Sequence, residues 1–339
     1  MRIRKLSLIL SLALVAWACD DDPKNTNNVN NVNNVNNVNN VNNVNNVNNV
    51  NNVNNVNNVN NVNNTNNQNP EVYGELELAE SRQFGYENSS LSGLIGAGGF
   101  PRWQEETQVA GDCRLLKYVR HFCEDYCEGV CVAENVCEPW PSFVNAGFLT
   151  VNGTRAPIEV QPGPWGFNGF ENGYGWWGET ADLYDDGQVV TANFSGFGAL
   201  AAFSVASAGV APLELTNVTN DELALSNDAD TVLTWTPADT TGTRVRVTLN
   251  ANNMGHGAPY EAIIECDTDD DGSLVIPSSL VRDFPDTYRW EYCAGSDCPL
   301  SWAFRYRSGH TDLTEGRVVF RVGSAVGFFI LHDLPTKGE

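Results

Sequence analysis

The nine cysteines of this sequence are the residues with the clearest chemistry. Cys19 lies alone near the amino terminus, and the other eight lie in the last two thirds of the chain. An even number remains once Cys19 is set apart, which predicts a disulfide framework formed in an oxidising compartment. The disulfide candidates are Cys113, Cys123, Cys127, Cys131, Cys137, Cys266, Cys293 and Cys298.

The spacing of these cysteines favours a few of the many pairings that eight cysteines allow. Short separations favour local loops, and the residue pair left over must then span the chain. The expected pairs are Cys293 with Cys298, Cys123 and Cys127 with Cys131 and Cys137 in either order, and by elimination Cys113 with Cys266.

Carboxylates at alternate positions form a second chemical pattern. Asp267, Asp269 and Asp271 precede Gly272, which matches the first half of a calcium-binding loop with ligands at positions one, three and five. Ser278 stands at position twelve, where such loops carry a bidentate glutamate, and predicted strands flank the run instead of helices. Calcium is therefore the one cofactor for which the sequence has a pattern, and a polar hairpin turn is the alternative interpretation.

Six aromatic residues interleave with glycines and polar residues between positions 164 and 177. Aromatic faces on a glycine-hinged loop suit stacking against sugar rings or apolar side chains of a peptide. A glycine-rich backbone is costly to order, so we expect a loop here and not a strand interior. The alternative is a loop that folds its aromatics back over the domain. The candidate ligand-binding residues are Trp165, Phe167, Phe170, Tyr174, Trp176 and Trp177.

Motifs of catalysis are missing from the sequence. It contains no Gly-x-Ser-x-Gly elbow, no Ser-x-x-Lys motif and no phosphate-binding loop before a helix, and its four histidines are scattered. Carboxylate pairs such as Glu124 with Asp125 or Asp182 with Asp185 suit glycoside hydrolysis, but an acidic surface supplies such pairs by chance. We therefore expect no catalytic residue, and we keep a hydrolase acting on extracellular glycan or peptide as an alternative.

The elements that must position these groups begin only after a long amino-terminal region. Arg2, Arg4 and Lys5 precede an apolar stretch at 6–17 that is too short to span a bilayer of about 30 Å. The sequence Ala-Trp-Ala then leads into Cys19. Here the chain resembles the bacterial prolipoprotein family, although Ala16 replaces the usual leucine three places before the cysteine. The resemblance implies a signal peptide at 1–18 and a lipid on Cys19 that anchors the protein in a bilayer.

Cysteine parity separates this interpretation from ordinary secretion. Cleavage by the general signal peptidase at the same bond would leave Cys19 as an unpaired thiol. Lipidation uses the Cys19 thiol and leaves eight cysteines, an even number that can all pair in disulfide bonds. The sequence therefore favours an extracytoplasmic, lipid-anchored protein, at an outer membrane or cell surface.

A low-complexity segment follows the lipidation site. Residues 25–69 repeat Asn-Asn-Val almost without interruption, and a period of three fits neither helix nor strand. The repeat has little apolar area with which to offset the entropy of ordering. We expect a disordered tether over 19–69, with a stacked solenoid as the alternative.

The rest of the chain is predicted to be an all-β, disulfide-bonded ectodomain. We divide it into a β-rich part at 70–210, which includes the cysteine-rich segment 113–137, and an immunoglobulin-like β-sandwich at 211–339. A first strand is predicted over 72–79, a hairpin turn at Asn152-Gly153 and a helix over 114–126. Trp235 is expected in the core.

The formal net charge of −23 restricts the partners. An acidic surface repels phosphate backbones, so nucleic acid is excluded as a partner. It also repels anionic lipid, so membrane contact is expected through the lipid on Cys19 and not through a basic patch.

The ectodomain also resembles a group of uncharacterised lipoproteins from Gram-negative soil bacteria. The shared features are the cysteine-rich turn at 123–137, a Leu-Thr-Trp-Thr-Pro strand at 233–237 and an Ile-Glu-Cys to Ile-Pro hairpin at 264–277. These motifs are structural, and the resemblance implies no activity.

Together these patterns predict a surface binding or adhesion module for a glycan or protein ligand. A purely structural envelope protein, in which the tether is the working part, is the main alternative. Exposure of the aromatics at 164–177 favours binding, and their burial favours the structural role.

Overall fold

The computed structural model describes residues 72–97, 104–140, 142–165, 170–238, 241–253, 260–285 and 299–332. The predicted signal peptide, Cys19, the Asn-rich tether, Phe167, Cys293 and Cys298 lie outside these residues. The described residues form strands, loops and one short helix, which confirms the all-β prediction.

One large sheet organises the described part of the chain. Its strand order is β10-β11-β2-β1-β20-β19-β16-β17-β4-β3, with β14 added beside β20 and β7 beside β2. Most neighbours are antiparallel, but β1 runs parallel to β20. The strands are β1 Val72–Gln83, β2 Tyr86–Ala97, β3 Gln104–Ala110, β4 Cys113–Tyr118, β7 Ser142–Phe143, β10 Gly163–Trp165, β11 Phe170–Gly178, β14 Glu222–Leu225, β16 Arg244–Asn253, β17 Tyr260–Asp269, β19 Ser301–Asp312 and β20 Arg317–His332.

Smaller sheets and one helical turn complete the described elements. A four-stranded sheet has the order β13-β12-β8-β9, and two further pairs are β15 with β18 and β5 with β6. Their bounds are β5 Gly129–Ala133, β6 Val136–Pro139, β8 Leu149–Asn152, β9 Ile158–Val160, β12 Val189–Phe194, β13 Phe203–Ala208, β15 Thr231–Thr234, β18 Ser273–Ile276 and the helix α1 Ser278–Val281.

One face of the large sheet carries both main hydrophobic cores. Because side chains alternate along a strand, the apolar residues Leu76, Leu78 and Phe320 point to this face, where they pack with residues of the four-stranded sheet. Further along the same sheet, Val245 and Val247 pack with residues of β15, β18 and α1. The molecule is therefore a β-sandwich whose large layer is covered by two smaller ones.

The boundary predicted near residue 210 separates two cores but not two sheets. The first core draws mainly on residues before 210 and the second mainly on residues after it. Strand β1 nevertheless pairs with β20, and β4 pairs with β17, so the large sheet takes strands from both segments. Trp235 lies in the second core at 3% exposure, as expected.

The predicted helix over 114–126 is wrong. Residues 113–118 form β4, which pairs with β3 and β17, and residues 119–128 form a loop. Leu115 is fully buried, but Phe122 and Tyr126 on the supposed apolar stripe are 58% and 89% exposed. Strand pairing with residues 150 positions away outweighs the local helical pattern, because it buries the segment in the sheet.

Three disulfide bonds lie within the described residues, and all follow the expected pattern. Cys123 pairs with Cys131, and Cys127 pairs with Cys137. Cys113 pairs with Cys266 directly across β4 and β17, where their Cα atoms are 4.0 Å apart. These bonds indicate an extracytoplasmic location. In the described part of the chain, no helix is long and apolar enough to cross a membrane.

Candidate binding surface

The aromatic segment forms a hairpin at the margin of the large sheet. Strands β10 and β11 pair with each other, and residues 174–178 of β11 also pair with β2. The expectation of a loop is therefore wrong for residues 170–178. Pairing with β2 satisfies the backbone hydrogen bonds of this glycine-rich stretch and offsets the entropy of ordering it. For Trp165 and Phe170 only the backbone is described.

Tyr174 is an interior residue of this hairpin. Its side chain is fully buried, and its ring packs edge-on against Phe194 with centroids 5.2 Å apart. The hydroxyl donates a hydrogen bond to the Gly147 carbonyl at 2.8 Å and accepts one from the Ala146 N–H at 2.9 Å. Burial raises the pKa of this phenol to about 12, against the opposing effect of the bond from Ala146. Tyr174 therefore ties β11 to the loop before β8.

Trp176 points the same way as Tyr174. It is half-buried and packs against the first core. Its ring lies over Gly178, where a Cβ atom would come within 2.5 Å of the indole. A glycine at position 178 therefore leaves room for the indole ring, and Trp176 covers the margin of the first core.

Trp177 points to the opposite face and is 48% exposed. The register places it beside Ser90 of β2, and places Gly175 beside Ser92. Both serines are half-buried and Gly175 is exposed, so the sheet surface next to the indole carries only small groups. One face of the Trp177 indole therefore lies beside a strip of small residues that carries the hydroxyl groups of Ser90 and Ser92. Such a surface suits a flat ligand with polar edges.

The strip next to Trp177 runs into a buried cluster of charged groups on the same face. Along one row, Ser92 lies opposite Glu77, and Glu77 lies opposite Arg321. Arg321 contacts Glu75 at 3.2 Å, and Glu77 contacts Arg246 at 3.9 Å. Burial raises the pKa of Glu77, while the two arginines counteract that rise.

Aromatic rings and a further carboxylate complete this charged cluster. Phe304 and Tyr306 stack with centroids 5.5 Å apart, and the Arg246 guanidinium lies 5.1 Å from the Tyr306 ring. The Tyr306 hydroxyl donates to the Asp267 carboxylate at 2.5 Å. Since Glu77, Arg321 and Tyr306 are all less than a tenth exposed, we assign the cluster to the structure of the sheet and not to ligand contact.

The acidic run does not form a calcium loop. Residues up to 269 continue β17, so Asp267 and Asp269 lie on the same face of the sheet. Asp267 and Asp269 both bind Arg244, at 2.5 and 2.8 Å. Asp271 accepts a hydrogen bond from the Ser273 N–H, which makes it a turn residue. Arg244 thus binds two of the three predicted ligands and the turn uses the third, and among the described residues these carboxylates do not bring their oxygens together as a metal site would.

Asp270, which the calcium pattern skips, is the structurally important member of the run. Its side chain is 3% exposed and forms an ion pair of 2.8 Å with Arg305, which is 2% exposed. It also accepts a hydrogen bond of 2.7 Å from the Trp235 indole N–H. Sequence analysis missed this pair, since Arg305 carries no local signal beyond being a charge among alternating apolar residues.

Several carboxylates that could suggest acid–base chemistry bind other groups of the protein. Burial raises the pKa of Glu80, which accepts a hydrogen bond of 2.6 Å from the Leu183 N–H and is 3% exposed. The pair Asp182 and Asp185 binds one arginine, Arg155, at 2.7 and 2.9 Å. Glu80, Asp182 and Asp185 thus hold neighbouring segments of the chain together.

Among the described residues, Cys123, Cys127 and Cys131 are the one group of metal-binding types whose ligand atoms lie within 4.8 Å of one another. Their sulfur atoms belong to the two disulfide bonds of the cysteine-rich segment, so they are not available as thiolates.

No family model matches this chain, and no curated protein matches it significantly. The geometry of its surface is therefore the basis for its function.

Proposed function

We propose that the chain is a membrane-anchored extracytoplasmic lipoprotein whose folded part is a non-catalytic binding module for a glycan or protein ligand. The anchor is the lipid that the sequence predicts on Cys19. The Asn-rich tether would hold the module away from an outer membrane or cell surface. The oxidised cysteines fit this environment.

The observation that carries the binding role is the orientation of Trp177. Neighbouring Trp176 covers the core, whereas Trp177 leaves about half of its large aromatic surface in solvent. An indole at a sheet margin has little effect on folding but offers a stacking face to a ligand. Ser90 and Ser92 lie beside it and supply donors and acceptors for a hydroxylated ligand.

A sugar ring is the ligand class that we favour for this surface. The strip beside Trp177 is shallow and uncharged, which matches a ring that stacks on the indole and bonds through its hydroxyl groups. One stacked aromatic contributes on the order of 1 kcal/mol beyond area burial, so affinity for a single sugar is weak. Many tethered copies on one membrane would raise the overall affinity through avidity.

The test compares two adjacent tryptophans in the full-length protein on glycan and peptide arrays. Trp177→Ala should lower the melting temperature by no more than a few degrees and weaken binding to any glycan hit about tenfold or more. Trp176→Ala is the matched control: it should destabilise the fold by about 1–3 kcal/mol, because it uncovers the core.

A glycan hit that binds Trp177→Ala as tightly as it binds the wild type would refute the proposal. A purely structural envelope protein is the second candidate, because Tyr174 and Trp176 both face the interior. That candidate expects no specific hit on either array.

A further inference from the structure

The cysteine-rich segment forms a small lobe beside the large sheet. This disulfide-linked lobe comprises residues 119–140, and its strand pair β5 and β6 is separate from the large sheet. Two disulfide bonds cross it, with Cα atoms 5.9 and 5.6 Å apart. The Asn135 N–H donates to the Phe122 carbonyl at 3.0 Å, and the Asn135 side chain accepts from the Glu124 N–H at 2.8 Å. Cross-links, and not a hydrophobic core, thus hold its conformation.

Large apolar side chains of the lobe lie in solvent. Tyr126 is 89% exposed, Phe122 58%, Val136 48% and Trp140 36%. The disulfide bond between Cys127 and Cys137 brings the backbone at Tyr126 close to that at Val136. The hydrogen bond from the Asn135 N–H to the Phe122 carbonyl brings the backbone at Phe122 close to the same point. Tyr126 buries little surface and so adds little to folding, and exposed aromatics that lie close together mark interaction sites.

The same lobe is strongly acidic. Its five carboxylates and single arginine give a formal charge of −4 with histidine neutral. All five are exposed, and none forms an ion pair with another residue in the described part of the chain. The carboxylates are Glu124, Asp125, Glu128, Glu134 and Glu138.

We propose that the disulfide-linked lobe is a docking surface for a protein or peptide that presents Lys or Arg side chains next to apolar ones. Unpaired carboxylates around exposed aromatics match such a partner in charge and in hydrophobicity. The two disulfide bonds fix the backbone before binding, so little conformational entropy is lost on association. This surface shares no residue with the one around Trp177.

Charge argues against the other occupants. A second copy of this chain would bring another acidic lobe and a net charge of −23 into contact with the first. An anionic bilayer would be repelled for the same reason. The partner is therefore a cationic, partly apolar polypeptide.

The test measures binding of the oxidised full-length protein, in detergent micelles, to three immobilised synthetic peptides. One alternates Lys with Leu, one alternates Lys with Ser, and one alternates Glu with Leu. We expect clear preference for the Lys-Leu peptide. Tyr126→Ala should weaken that binding about tenfold or more, and the triple variant Glu124→Gln, Asp125→Asn, Glu128→Gln should weaken it and reduce its dependence on salt.

Matched controls separate this site from the general acidity of the chain. Tyr86→Ala removes a tyrosine that is 74% exposed elsewhere, and the triple variant Glu159→Gln, Glu179→Gln, Asp283→Asn removes three exposed charges elsewhere. Both controls, and Trp177→Ala, should bind the Lys-Leu peptide like the wild type.

Three results would overturn the proposal. The first is equal binding of the Lys-Ser and Lys-Leu peptides with no effect of Tyr126→Ala, which would indicate non-specific charge attraction. The second is self-association in sedimentation that Tyr126→Ala abolishes, and the third is binding of the Cys19→Ala variant to vesicles of anionic lipid that Tyr126→Ala abolishes. Melting temperature and non-reducing peptide mapping check that each variant keeps its fold and its disulfide bonds.

Discussion

Removal of the Cys113–Cys266 bond by the double substitution Cys113→Ala, Cys266→Ala should cause a large loss of stability. The bond closes a loop of 153 residues, for which the chain-entropy relation gives about 5 kcal/mol at 25 °C. The two residues are 2% and 1% exposed, so the lost sulfur atoms add a small cavity cost. For a domain of this size, the melting temperature should fall by about 10–20 °C.

The double substitution Cys127→Ala, Cys137→Ala is the control for this prediction. That bond closes a loop of 10 residues, worth about 3 kcal/mol on the same relation. Its strands β5 and β6 lie outside the large sheet, so this loss should loosen the lobe and leave the main unfolding transition within a few degrees.

Both variants and the wild type are exported, purified without reductant and unfolded by heat and by urea, with far-ultraviolet circular dichroism as the readout. A loss of less than about 1 kcal/mol in the Cys113–Cys266 variant would refute the reasoning, because it would mean that pairing of β4 with β17 survives in the unfolded ensemble or needs no cross-link. An equal loss in the control would refute the separate role of the lobe.

Two further predictions concern the anchor and the interior of the aromatic hairpin. Cys19→Ala should move the full-length protein from the membrane fraction to the soluble fraction, and a wild type found already in the soluble fraction would contradict the lipid anchor. Tyr174→Phe should cost about 1–3 kcal/mol in urea unfolding at pH 8, because the Ala146 N–H and the Gly147 carbonyl lose their buried partner. Since burial raises the pKa of Tyr174 to about 12, its phenol stays protonated in the folded state while the unfolded state loses the proton above about pH 10. Wild-type stability should therefore fall between about pH 10 and 12, and Tyr174→Phe should fall less over that range; identical pH profiles would be the contrary result.

The two proposed surfaces differ in their chemistry and so in the partners they select. Trp177 and its neighbouring serines offer an uncharged stacking site, whereas the disulfide-linked lobe offers carboxylates around exposed aromatics. A protein with both proposed surfaces would engage a glycan and a cationic polypeptide at once. Variants at Trp177 and Tyr126 separate the two activities without touching the core.

Local sequence patterns determined the strands and much of the cross-linking. Alternation of apolar and polar residues predicted the first strand and the sandwich, because a strand buries every second side chain against its core. The short spacings within the cysteine-rich segment limited each of its four cysteines to nearby partners, and elimination then left Cys113 with Cys266. These features depend on neighbours in sequence or on simple counting, but the sequence left open which of Cys123 and Cys127 pairs with Cys131.

Only the tertiary structure decided features that depend on distant strands. Residues 114–118 became a strand because β17 lies beside them, although their own pattern is helical. Because β11 pairs with β2, residues 170–178 form a strand where an aromatic loop was expected. In this strand Trp176 packs against the core and Trp177 is exposed to solvent. Continuation of β17 through the acidic run paired Asp267 with Arg244 and buried Asp270 against Arg305. In each case the free energy comes from contacts with residues far along the chain, and such contacts leave no periodic signal in the local sequence.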